Sequence, residues 1–252
     1  MTEIKLHGKI ALVNGASRGI GRAIAEGLAG AGATVVVTSR SREAAEAAAD
    51  RVGEQGGNAI GMACHAGRMD EIERLFRRIR EELGGLDILV NNAATNPHYG
   101  PAHELPPEAF DKTVEVNLKG PYFMMARAMP LMIERGGGSV VNVASIVAQM
   151  TWAGQAVYAM TKSGLISLTR SFAKEYGPHG VRVNAILPGL VETRFASALV
   201  DDPKVQKWVS HLPVPRTGQP ADMVGGVLYL VSDQAAYTTG TTLVMDGGAT
   251  LG

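Results

Sequence analysis

The chain has almost no thiol chemistry to offer. Its one cysteine, Cys64, among 252 residues cannot form an internal disulfide, and a lone thiol fits a reducing compartment such as the cytoplasm. There is no surplus charge either. The 24 basic and 24 acidic residues cancel, and no basic stripe offers a footprint for nucleic acid or an anionic membrane. No run reaches the ~18 apolar residues that span a bilayer. Residues 1–8 lack the apolar core of a secretion signal, and Gly248-Ala-Thr-Leu-Gly252 is not a peroxisomal address. No linker, internal repeat or low-complexity segment divides the chain. The expectation is one soluble, cytoplasmic domain over residues 1–252, with no membrane or nucleic-acid partner.

What is present is apolar and rich in glycine. A chain of this length in one α/β domain buries roughly three quarters of its unfolded surface. Because 46% of residues are hydrophobic, the 31 glycines point to tight turns and close backbone approaches rather than disorder. Short apolar runs at residues 9–13, 34–38, 59–64, 87–90, 139–143, 181–187 and 242–245 read as strands. Helical patterns separate them, among them 43–55, 70–83, 110–132, 157–176 and 221–231. Sustained alternation predicts an α/β fold: a doubly wound, Rossmann-type, seven-stranded parallel sheet with helices on both faces. In such a sheet ligands bind at the carboxyl edge of the strands.

Several stretches fall on that edge. Asn14-Gly-Ala-Ser-Arg-Gly-Ile-Gly21 joins the first strand to a helix. There Gly15 permits the turn, Gly19 lets a phosphate near the backbone and Gly21 lets helix pack on strand. The helix N-terminus turns free N–H groups toward a pyrophosphate. The second strand ends in Ser39-Arg40, without the carboxylate that holds an NAD ribose. After the fourth strand, Asn91-Asn92-Ala93-Ala94 is small enough for a flat ring to lie against, with Asn91 either a buried staple or a ligand contact. Asn117 is unfavourable in mid-helix and implies a distortion or a buried polar role. Ser145 ends the fifth strand, and Tyr158 and Lys162 lie four residues apart on one helix face. An ammonium beside a phenol lowers its pKa and suits it to proton transfer, although the spacing alone is common. His98 and His103 have no partner at metal-ligand spacing, so no metal is expected. Residues 190–215 read as an irregular lid bringing Phe195 and Trp208 to the substrate, with Tyr99, Met150 and Trp152 as the opposite wall.

Taken together, the glycine motif, Asn91-Asn-Ala-Ala94, Asn117, Ser145, Tyr158-x-x-x-Lys162, Pro188-Gly189 and Asp246-Gly-Gly248 resemble the short-chain dehydrogenase/reductase family in order and spacing, over essentially the whole chain. The resemblance implies a nicotinamide-dependent oxidoreductase, a homotetramer, a cofactor-binding half of about 1–145 and a catalytic half of about 145–252. It makes Tyr158 the acid/base. Lys162 lowers the Tyr158 pKa and holds the nicotinamide ribose, Ser145 binds the substrate oxygen and Asn117 keeps a water of a proton relay. It sets the cofactor against Gly15, Ser17, Arg18, Gly19, Ile20 and Gly21 at the first turn, and against Ser39, Arg40, His65 and Ala66 at the adenosine end. Toward the nicotinamide it adds Asn92, Ala93, Ala94, Tyr158, Lys162, Pro188, Gly189, Val191 and Thr193. Two positions depart from the family: Asn14 stands where threonine is usual, and His65 where an acidic residue often meets adenine.

The expected reaction interconverts a ketone and a secondary alcohol, with a bulky, apolar carbonyl as substrate. NADP is the preferred cofactor and NAD an alternative, because Arg40 offers a guanidinium fork to a 2′-phosphate, with Ser39 and Arg18 beside it. Stacking of Arg40 on adenine is the other reading of that residue. A 3-oxoacyl-carrier-protein reductase shares these motifs and would want Arg127, Arg135 and Lys174 as a basic patch. A cofactor-binding regulator without catalysis would lack Tyr158 or Lys162, and both are present.

Overall fold

The computed structural model describes residues 4–251; residues 1–3 and 252, which belong to the chain ends read above, lie outside the described residues. Seven strands make one wholly parallel sheet in the order β3-β2-β1-β4-β5-β6-β7. They are β1 Ile10–Asn14, β2 Thr34–Ser39, β3 Asn58–Ala63, β4 Ile88–Asn91, β5 Gly138–Val143, β6 Val181–Pro188 and β7 Thr242–Met245. The helices are α1 Gly19–Gly30, α2 Arg42–Glu54, α3 Met69–Leu83, α4 Pro107–Val114, α5 Gly120–Glu134, α6 Ala156–Tyr176, α7 Ser197–Val200, α8 Pro203–Val209 and α9 Val224–Val231.

The period of two along each strand decides which helices cover which face. Val13, Val35, Val90 and Val141 share a core with Ile24 and Leu28 of α1 and Val227 and Leu230 of α9. Their neighbours Leu12, Val36, Leu89 and Val140 point the other way, onto Ile72 and Phe76 of α3, Met125 and Met129 of α5 and Phe172 of α6. The central strands are therefore apolar on both faces, as an all-parallel sheet requires. Strand order reverses between β1 and β4, so the turns after these two strands diverge and leave a crevice between them.

The structure gives two expectations their detail. The distortion expected at Asn117 is a π-helical turn, Glu115–Lys119, which joins α4 to α5 within the helical stretch 110–132. The Asn117 side chain bonds both the N–H and the carbonyl of Thr95, each at 2.8 Å, and pulls the helix out of regular winding. Residues 190–215 are not simply irregular, because α7 and α8 lie within them. At four and seven residues these helices are too short to show a period. The start of α8 is nevertheless written in the sequence: Asp202 caps it by accepting the Lys204 N–H at 2.8 Å, and Pro203 follows. Among the described residues no helix is long and apolar enough to cross a membrane.

Candidate active site

The crevice begins at the glycine turn. Gly15 has φ +66°, and a Cβ there would lie 2.8 Å from the Ala93 Cα, so β1 can meet the turn after β4 only without a side chain. A Cβ on Gly21 would strike Asn92 Nδ2, and one on Gly19 would come within 3.3 Å of Thr193 Cγ2. Residues from three distant stretches, 15–21, 92–93 and 193, are thereby brought together. Helix α1 opens at Gly19 with no side-chain cap and no acidic residue in its first turn. Uncapped N–H groups at the positive end of a helix dipole suit a phosphate. Arg18 and Arg40 are exposed, and among the described residues neither enters an ion pair. These features fit the phosphates of a dinucleotide. His65 sits differently: its Nδ1 accepts the Gly67 N–H at 3.0 Å, and Lys112 Nζ lies 3.1 Å from its Nε2. Desolvation, then the Lys112 charge, pushes this imidazole below its ordinary pKa.

A row of buried carboxamides crosses the floor of the crevice. Asn14, Asn91 and Asn142 are register partners on β1, β4 and β5. Asn14 Nδ2 donates to Asn91 Oδ1 at 3.0 Å, Asn91 Nδ2 to Asn142 Oδ1 at 2.9 Å, and Asn142 Nδ2 to the Thr169 hydroxyl at 2.9 Å. Asn14 Oδ1 also accepts the N–H groups of Asn92 and Ala93, at 3.1 and 2.6 Å. Asn91 is thus a staple. The part played by Asn142 and Thr169 was not read from the sequence, where an asparagine inside an apolar run was the only signal.

Beyond the row stand Ser145, Tyr158, Lys162 and Asn117. Lys162 is 2% exposed, and its Nζ donates to the Val143 carbonyl at 2.8 Å. The same Nζ lies 5.6 Å from the centre of the Tyr158 ring. Burial pushes Lys162 down from 10.5 to about 8. The Tyr158 phenol is hydrogen-bonded to Ser145, which lowers its pKa, but burial outweighs that bond and holds the phenol above its ordinary value. The neutral phenol therefore dominates near neutral pH in this geometry, which is the form able to donate a proton. Asn117 is fully buried, and its Nδ2 reaches the Thr161 hydroxyl at 3.3 Å, which in turn donates to the Tyr158 carbonyl at 2.8 Å.

The aromatic residues expected around the substrate converge only in part. Phe195, 56% exposed, lies 6.0 Å from Tyr158 between ring centroids. Trp208 meets Trp152 edge-on at 4.8 Å and packs on the apolar cluster of Ala144, Ile166 and Leu187, so it anchors α8 to the wall. Tyr99 is exposed, near Gly154. Met150 lines a cleft with Gln149, Ala249 and Thr250, and Asn96 and Gln155 line a second cavity beside α6.

The sequence model of the family described as Enoyl-(Acyl carrier protein) reductase matches residues 15–250. Dehydrogenase/reductase SDR family member 4 of Homo sapiens is 41% identical over 96% of this chain and 88% of its own. The chain is a short-chain dehydrogenase/reductase. It is an oxidoreductase of that family. The 3-oxoacyl-(acyl-carrier-protein) reductase FabG of Vibrio harveyi is 40% identical over 97% of this chain and 98% of its own. A gluconate 5-dehydrogenase from Burkholderia cenocepacia J2315, solved in complex with NADP and tartrate, superposes with a TM-score of 0.95 at 31% identity, covering 99% of this chain and 98% of that one.

The buried lysine of this short-chain dehydrogenase/reductase has a pH signature. Between about pH 8 and 10.5 the unfolded chain keeps a proton on Lys162 that the folded protein has lost, so this group makes stability rise with pH across that window. Below about pH 8 both states are protonated, and the whole cost of the buried ammonium is present, on the order of 3 kcal/mol. Urea unfolding of wild type and Lys162→Met at several pH values checks this. The wild-type stability minus that of the variant rises from pH 8 to 10.5; a constant difference would contradict the buried-ammonium reading.

Proposed function

We propose that the protein is an NADP-preferring carbonyl reductase, or equally a secondary-alcohol dehydrogenase, acting on a bulky and largely apolar substrate. The observation that carries this reading is the convergence of Ser145, Tyr158 and a buried Lys162, whose Nζ lies 5.6 Å from the Tyr158 ring centre, at the carboxyl edge of the sheet. When bound, a nicotinamide supplies or takes up the hydride at the substrate carbon. The residues of this chain do the rest. Ser145 donates a hydrogen bond to the substrate oxygen and so fixes the carbonyl. The Tyr158 hydroxyl gives its proton to that oxygen in reduction and takes it back in oxidation. The Lys162 ammonium stabilises the phenolate that this transfer leaves, an effect strengthened by its dry surroundings. Asn117, bound to Thr95 and Thr161, positions the start of α6 and completes a proton path.

The cofactor groove runs from Gly15, Ser17, Gly19, Ile20 and Gly21 along Asn92, Ala93 and Ala94 to Pro188, Gly189, Val191 and Thr193. Arg40, with Ser39 and Arg18, takes the 2′-phosphate. The His65 ring nitrogens are engaged by Gly67 and Lys112, which leaves the adenine to the backbone at 65 and 66. Phe195 over Tyr158 and the Trp152–Trp208 pair supply apolar surface, with Tyr99 and Met150. We further read one domain over 1–252, divided near 145 into cofactor and catalytic halves, a homotetramer, and a cytoplasmic location.

The FabG relative favours a second reading, reduction of a 3-oxoacyl group on an acidic carrier protein. Against it, Arg127 and Arg135 already face Glu73 and Asp87 in ion pairs, so two of the three cations that would meet the carrier are neutralised.

Tyr158→Phe is expected to keep the fold and cofactor binding while losing roughly 10²–10⁴-fold in kcat on a carbonyl panel. Near wild-type turnover by the purified variant would refute the proton-donor assignment. In the same assay Arg40→Ala lowers kcat/KM for NADPH about tenfold or more while NADH is little affected, since a charge-assisted bond of about 1.5–3 kcal/mol is lost. Equal values for the two cofactors in wild type would overturn the NADP preference.

A further inference from the structure

The two ends of the lid are tied to one another outside the sheet. Where the chain leaves β6, Val191 pairs with Gly218 in a parallel bridge that belongs to none of the seven strands. The Glu192 N–H donates to the Gly218 carbonyl at 2.8 Å, and the Gly218 N–H to the Leu190 carbonyl at 2.9 Å. The returning segment is shaped by one carboxylate. Asp222 accepts Arg216 Nη1 and Nη2 at 2.6 and 2.9 Å, and the Gln219 N–H at 2.7 Å. It stands third in the short 3-10 turn Pro220–Met223, where its bond back to the Gln219 N–H is half of a capping box. These bonds close residues 216–222 into a loop that holds Gly218 along Leu190 and Val191. A second link comes from the Gln219 side chain, whose Nε2 donates to Glu192 Oε2 at 2.6 Å. Two residues beyond Val191, Thr193 Cγ2 lies 3.3 Å from where a Cβ on Gly19 would stand, so this end of the lid rests on the glycine turn.

We propose that Asp222 is a positioning residue for the cofactor: by holding the 216–219 loop against the first residues of the lid, it sets where Thr193 stands over the glycine turn. This rests on the cofactor groove proposed above, which includes Thr193, and adds a residue that acts on the groove only through Gly218, Gln219 and Glu192. The clasp does its work through geometry rather than through stability. The Arg216 and Asp222 side chains are 53% and 35% exposed, and an ion pair in such surroundings adds little to the stability of the whole fold. Its two parallel N–H···O bonds nevertheless fix the direction of both groups, which a single contact would not. Small displacements matter at this place, because a groove that must meet a bound ligand in one geometry is sensitive to shifts of about 1 Å. The clasp is also closed at any working pH. The Arg216 hydrogen bond, then the Gln219 N–H, pushes the Asp222 carboxyl down to about 2, so the carboxylate stays ionised until pH falls through that value.

The test measures Kd for NADPH and NADH by calorimetric titration, with KM and kcat on the carbonyl panel and urea unfolding, in wild type, Asp222→Asn, Asp222→Glu and Gln219→Ala. Asparagine keeps the size but turns an amide donor toward the guanidinium, whereas glutamate restores the carboxylate. For whichever cofactor wild type binds more tightly, we expect Asp222→Asn to raise Kd and KM about fivefold or more, the lower end for coupling between sites, with kcat at saturating cofactor little changed. Asp222→Glu recovers most of that loss. Gln219→Ala removes only the link to Glu192 and raises Kd by less, in the same direction. Gln219 is exposed, so this variant carries the test even where Asp222→Asn folds poorly. Kd unchanged from wild type in the folded variants, or a fall in kcat or stability without a rise in Kd, would overturn the positioning role and leave the cofactor groove standing. Failure of wild type to bind either cofactor would overturn the groove and the clasp with it.

Discussion

Three asparagines at one level of three neighbouring strands are bonded side chain to side chain, and the architecture around the site depends on that row. Burying a carboxamide is unfavourable unless its donors and acceptor are met, so Asn14, Asn91 and Asn142 tolerate few arrangements. Their hydrogen bonds run in one direction, from β1 through β4 and β5 to the Thr169 hydroxyl, which then donates to the Leu165 carbonyl at 2.8 Å on α6. A one-residue slip of any of these strands would send its asparagine to the opposite, apolar face and break the row. Register of the central sheet and placement of the helix that carries Tyr158 and Lys162 are thus fixed together.

The ends of the row meet the chemistry. At one end, Asn14 Oδ1 gathers the Asn92 and Ala93 N–H groups and draws the turn after β4 against Gly15, which shapes the crevice where the strand order reverses. A threonine hydroxyl carries one donor and two acceptor lone pairs on a single atom, whereas Asn14 divides the two roles between Nδ2, toward Asn91, and Oδ1, toward Asn92 and Ala93. At the other end, Val143 directly follows Asn142, and its carbonyl holds the Lys162 ammonium. A charged group so deeply buried keeps its place only with such a partner, and burial shows in its depressed pKa. The phenol feels the same dryness in the opposite sense and stays protonated.

Much of this was legible in the sequence, for physical reasons. Strands buried on both faces read as apolar runs, helices such as α3 show a one-sided stripe, and the glycine turn requires glycines where Ala93 and Asn92 press in. Motifs made of neighbouring residues, such as Tyr158 and Lys162 one helical turn apart, were visible because local geometry sets them. What was hidden depends on tertiary contact. Asn142 and Thr169 lie 27 residues apart, and only the fold makes them partners. A distortion at Asn117 was legible from its poor helix propensity, but its partner Thr95 was not, and α7 and α8 are too short for periodicity to show. The expectation that Lys162 lowers the Tyr158 pKa considered charge alone, whereas desolvation is the larger effect in this geometry.

The central claim is that the carboxamide row acts as one unit. It is tested most directly by a double-mutant cycle on two members that do not touch, Asn91→Leu and Thr169→Val, with stability measured by urea unfolding. Residues in one hydrogen-bonded network couple by about 0.5–3 kcal/mol, whereas separated, independent sites add within about 0.3–0.5 kcal/mol. The account predicts that the double variant loses less than the sum of the single losses by at least about 0.5 kcal/mol. Strict additivity would contradict it.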